Sequence, residues 1–74
     1  MKITVESTKK IVTVNGGVDA RIWEGKSETG IPVICFVTRV AVPADADQEQ
    51  FKKELRECAA PSAEATSFPL WMAI

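Results

Sequence analysis

Hydrophobic and polar residues alternate from the start of the chain. In KITVE, residues 2–6, Ile3 and Val5 fall on one side and Lys2, Thr4 and Glu6 on the other. A period of two predicts a strand with one solvated face. Ser7-Thr8-Lys9-Lys10 interrupts the pattern as a turn would, and residues 11–14 resume β-type side chains. Asn15-Gly16-Gly17 follows, and these residues tolerate the positive φ of tight hairpin turns. A third strand is predicted over 18–24, then a loop at 25–30, GKSETG. Residues 31–42 carry the longest β signal. Val33, Cys35, Val37, Arg39 and Ala41 share one face; Ile34, Phe36, Thr38, Val40 and Val42 share the other. Both are mainly apolar, which predicts a central strand covered on two sides, and Pro32 is tolerable at its start. A four-residue loop at 26–29 pairs Ile22 with Val33, Ala20 with Cys35 and Val18 with Val37. Arg21, Trp23, Ile34 and Phe36 are then left on the opposite face. One residue more or less in that loop reverses the facing.

Pro43 ends the strand. Asp47 is placed to cap a helix, with Gln50 three residues on as the partner of a capping box. Phe51, Leu55 and Cys58 make one narrow apolar stripe at helical spacing, so the helix is predicted to run to Cys58 or Ala59 and to dock on the sheet. Residues 61–67 read as a connector of small and polar residues. In 68–74, Phe68, Leu70, Met72 and Ile74 alternate against Pro69, Trp71 and Ala73, which predicts a last strand at a sheet edge. The fold class is α+β: an antiparallel β-meander of about four strands, one α-helix packed on it, and a C-terminal strand, in a single domain over residues 1–74.

This arrangement carries an imbalance. Three helical side chains cannot shelter Ile3, Val5, Ile11, Val18, Ile22, Trp23, Ile34, Phe36, Val40, Leu70, Trp71 and Met72. Apolar surface should remain around Trp23, Ile34, Phe36 and Trp71. Covering ~400 Å² of it is worth about 10 kcal/mol before association costs, comparable to the stability of a whole small domain. Two arrangements shelter such a face. A partner can cover it, through face packing or strand addition at an edge, or strong twist can curl the sheet into a partly closed barrel.

Composition narrows the function classes. Net charge is −1 over 74 residues, with nine basic and ten acidic side chains. Nucleic acid or an anionic surface would have to be met by a local patch, and the densest basic pairs are Lys9-Lys10 and Lys52-Lys53. Lys9, Lys10, Arg21, Lys26 and Arg39 along the meander would form such a patch; nucleic acid is the less favoured partner. The N-terminal residues lack the apolar core of a secretory signal, and no stretch is apolar enough to span a bilayer. The expected location is cytoplasmic, with Cys35 and Cys58 as thiols. There is no histidine, and the two cysteines have no metal-ligand spacing. No metal and no cofactor are expected.

Catalytic residues are not expected either. Glu24, Glu28, Asp45, Asp47 and Glu49 sit mostly in a loop or a first helical turn, where capping and solubility explain them. GKSETG lacks the spacing of a phosphate loop and precedes a strand rather than a helix. KKELRE, residues 52–57, has the spacing of surface ion pairs. Arg39 differs, because it interrupts an apolar face inside a predicted strand and needs a carboxylate or carbonyl partner. Trp23, Ile34, Phe36, Arg39 and Trp71 are therefore the candidate interaction residues of a non-enzymatic protein.

From Val14 onward, the stretches ARIWEGKSETGIPVICFVTRVAV, DQEQFKKELRE, PSAE and FPLWMAI resemble small proteins of about this length from bacterial prophages and other mobile elements. No activity, ligand or catalytic residue of that group carries over. The resemblance implies a compact accessory protein that binds a host or phage protein. By analogy with anti-CRISPR proteins, it would inhibit a host defence complex by occluding a surface. The expected partners are a second copy of the chain, a host or phage protein, or both.

Overall fold

A computed structural model of the chain describes residues 1–14 and 16–67. Within them lie three strands, β1 (Ile3–Val14), β2 (Val18–Ser27) and β3 (Pro32–Val37), then two helices, α1 (Gln48–Leu55) and α2 (Ala63–Ser67). The strands form one antiparallel meander in the order β1-β2-β3. The fold is α+β, as the patterning predicts. The predicted C-terminal strand, with Trp71, lies outside the described residues.

The expected turn at residues 7–10 is the first departure. Ser7 pairs with Trp23 and Ile11 with Arg21, so β1 advances four residues while β2 advances two. The chain bulges there and does not turn, which merges two predicted strands into one. Thr8 shows why. It is 1% exposed, and its hydroxyl donates to the Ile22 carbonyl at 2.7 Å and accepts the Lys10 N–H at 3.3 Å. Arg21 Nη1 donates to the Thr8 carbonyl at 2.7 Å. Residues that would have solvated a turn instead satisfy a buried irregularity. Across the same point, Lys9 N–H reaches the Ala59 carbonyl and Ala59 N–H the Ser7 carbonyl, each at 2.9 Å. Residues 57–59 are thus tied to the sheet by a short parallel bridge, reinforced by the Ser7 hydroxyl on the Glu57 carbonyl at 2.9 Å.

The second departure is the register of the β2–β3 hairpin. Ser27 N–H bonds the Ile31 carbonyl at 2.9 Å and Gly30 N–H the Ser27 carbonyl at 3.0 Å. Gly30 has φ +91°, so this is a three-residue loop closed by a left-handed glycine. Ile22 therefore faces Phe36, Trp23 faces Cys35 and Arg21 faces Val37, where the four-residue loop placed Ile22 against Val33. The offset is an odd number of residues, so every side chain of β3 changes sides relative to β2. The third departure is length: β3 stops at Val37. β-propensity measures fit to a pleated, half-buried surface, not a backbone preference, and residues 38–40 use it to wall a groove.

The resulting sheet has two unlike faces. On one, Ala20 and Ile22 are each 1% exposed, with Ile34 and Phe36 beside them by register. Glu24 on this face accepts the Ser62 N–H at 2.9 Å. Ser62 is the first residue before α2; its hydroxyl accepts the Ala65 N–H at 3.1 Å, and Ala65 is 2% exposed. A helix of five residues does not persist alone. It is held by its serine cap, by Glu24 and by burying Ala65. The expectation that the longer helix does the covering is corrected here. Asp47 caps α1 through its side chain on the Gln50 N–H at 3.0 Å, as predicted. But α1 ends at Leu55 and contains no buried residue. Phe51 is half-buried and Leu55 41% exposed.

Gly25 pairs with Val5, and a Cβ on it would overlap the Thr4 carbonyl oxygen and come within 2.8 Å of Val5 Cα. Only glycine lets β1 cross so close over β2. Some residues of β1 and β3, which do not pair with each other, also lie near each other.

Candidate functional site

The face opposite Ile22 holds Val5, Ser7 and Ile11 from β1, Arg21 and Trp23 from β2, and Cys35 and Val37 from β3. The bulge adds an even number of residues, so Ile11 stays on the same side as Val5 and Ser7. A groove of about 240 Å³ opens on this face. Trp23, Ile11 and Val37 line it from the sheet. Val40, from the coil after β3, and Leu55, at the end of α1, close it on the other side. Ile11 is 51%, Val40 42% and Leu55 41% exposed. Leu55, the middle residue of the predicted apolar stripe, thus rims an open groove.

Among the described residues, three charged side chains line the groove: Asp19, Arg21 and Arg39. Asp19 accepts the Thr13 hydroxyl at 3.1 Å. Arg21 is half-buried and spends one N–H on the Thr8 carbonyl. Arg39 is exposed, and among the described residues no hydrogen bond or ion pair engages it. The groove is an apolar trough with an excess of positive charge, on a chain whose net charge is −1.

The candidate interaction residues separate. Trp23 and Arg39 come together in the groove. Ile34 and Phe36 lie on the other face, beside Ile22, because of the register change. Trp71 is outside the described residues. Ile11, Val40 and Leu55 are added. Their exposure follows from the bulge and the three-residue hairpin, and the terminal glycine of SETG was the signal that could have located the face. The five basic residues proposed as a nucleic-acid stripe do not share a surface. Arg21 and Arg39 line the groove, Lys26 pairs with Pro32 on the Ile22 side, and Lys9 and Lys10 belong to the bulge.

Other features are less specific. A second hollow of about 410 Å³ lies over α1 among Asp47, Glu49, Gln50, Lys52, Lys53 and Arg56. Its mixed charges are those of a solvated helix face. Cys35 and Cys58 are free and half-buried. Among the described residues no group of three or more His, Cys, Asp or Glu side chains is disposed to hold a metal ion, and no helix is long and apolar enough to cross a membrane. Glu24 is held below the ordinary 4.5, first by the Ser62 backbone N–H and then by the Ser62 hydroxyl, against a smaller opposing effect of burial. Its place is in fastening α2. No protein-family model, no curated protein and no solved structure matches the chain.

Proposed function

We propose that the chain is a non-enzymatic binding module that takes a segment of another protein into the groove between Trp23 and Leu55. One observation carries this reading. Ile11, Val40 and Leu55 converge with Trp23 around one concavity and stay 41–51% exposed, Trp23 being half-buried, while Ala20 and Ile22 on the opposite face are each 1% exposed. Clustered apolar exposure around an aromatic anchor is the pattern of a binding surface. Two of the candidate carboxylates serve structure: Asp47 caps α1 and Glu24 fastens Ser62. The resemblance to prophage and mobile-element proteins supports an accessory role in which occupying a surface of a host protein, such as a defence complex, is the whole activity.

Selection from a displayed library of random dodecapeptides on the intact chain tests the reading. Peptides should be enriched whose binding is lost in Ile11→Asp and kept in Val18→Asp. Val18 is 47% exposed and on the other face by register, so it controls for added surface charge. Enrichment of no peptide, or of peptides indifferent to Ile11→Asp, would overturn it.

A further inference from the structure

Resting on that reading, we infer that the groove recognises an acidic, apolar segment: an extended stretch with one large apolar side chain for the Trp23 trough and a carboxylate next to it for Arg39. The inference comes from charge complementarity. Among the described residues, the groove sets Arg21 and Arg39 against Asp19, although the chain as a whole carries ten acidic and nine basic residues. Asp19 is engaged by Thr13 and Arg21 by the Thr8 carbonyl. Arg39 is the cation left for a ligand. A guanidinium presents a planar fork that matches a carboxylate with two parallel hydrogen bonds. At the mouth of an apolar groove, that pairing gives specificity where the trough supplies contact area. Arg21 is fixed by its bond to the bulge, so it contributes a field while Arg39 closes on the ligand.

The same library separates this inference from the reading beneath it. Peptides that depend on Ile11 should carry Asp or Glu beside an aromatic or aliphatic residue. Arg39→Glu should weaken a selected acidic peptide by about tenfold or more, and Arg39→Lys by less. A fresh selection on Arg39→Glu should enrich Lys and Arg in place of Asp and Glu. Peptides that need Ile11 but show no acidic bias, or that bind Arg39→Glu equally well, overturn the inference and leave the binding module standing. If the chain sediments as a dimer that Leu55→Glu dissociates, a second copy occupies the groove and the inference is overturned.

Discussion

Thr8 is the residue on which β1, β2 and the 57–59 segment converge, and replacing it with valine isolates the contribution of one hydroxyl. Valine keeps the volume and β-branching, so packing is nearly conserved. What is lost is the donor to the Ile22 carbonyl at 2.7 Å and the acceptor of the Lys10 N–H at 3.3 Å, at a site 1% exposed. A buried polar group stripped of its partner costs about 1–3 kcal/mol. The Lys10 contact is long, so the total should be about 2–4 kcal/mol. A domain of this length has roughly 4–11 kcal/mol in all, and the midpoint of thermal unfolding should fall by roughly 10–30 °C. Thr8→Ser keeps the hydroxyl and loses a methyl group, for about 1 kcal/mol. Urea unfolding followed by far-UV circular dichroism, with the m-value checked for constancy, should rank wild type above serine and serine above valine. If valine matched or exceeded serine, Thr8 would be an ordinary packing residue and its polar role in the bulge would be wrong.

Other consequences are open to measurement. Gly25→Ala places a methyl group on the Thr4 carbonyl and should destabilise by about 3 kcal/mol in the same assay. Gly30→Ala meets open space at φ +91° and should cost only about 1–2 kcal/mol; equal costs would remove the case for a steric crossing at Gly25. Glu24 has a depressed pKa in the fold, so its contribution is present above 4.5 and fades as pH falls through the lower folded value. The Ser62 amide proton resonance should titrate with a midpoint below 4.5 and cease to do so in Glu24→Gln, whereas a midpoint at or above 4.5 would contradict the Glu24–Ser62 bond. Asp47→Ala should weaken α1 by about 1 kcal/mol, seen as faster hydrogen exchange at the Gln50 amide, and unchanged exchange would argue against the cap.

Local signals in the chain were readable where one residue decides the outcome. Asp47 with Gln50 marks the start of α1, and Gly16-Gly17 lies just before β2. The bulge was hidden because Ser7, Thr8, Lys9 and Lys10 have turn composition; only the bonds of Thr8 to Ile22 and Arg21 reveal that its polar groups are buried in the sheet. The hairpin register turned on whether Gly30 ends the loop or follows it, and that choice decided the neighbours of Trp23. This is why Ile34 and Phe36 were grouped with Trp23 although they lie on the other face. α2 has five residues, too few for a period, and one of the contacts that hold it comes from Glu24, thirty-eight positions away from Ser62. Surplus apolar surface was legible as a quantity and its location was not. Ala20 and Ile22 are buried on one face, and Ile11, Val40 and Leu55 stay exposed around the groove.

The division of the sheet into a sealed face and an open one is tested most directly by methyl NMR with a soluble paramagnetic agent. Methyl groups of Ile11, Val40 and Leu55 should be strongly broadened, while those of Ala20, Ile22 and Ala65 stay sharp. Protection of Ile11 and Leu55 to the level of Ile22 in the free chain would mean that the groove is already covered, and broadening of Ile22 would mean that its face is not sealed.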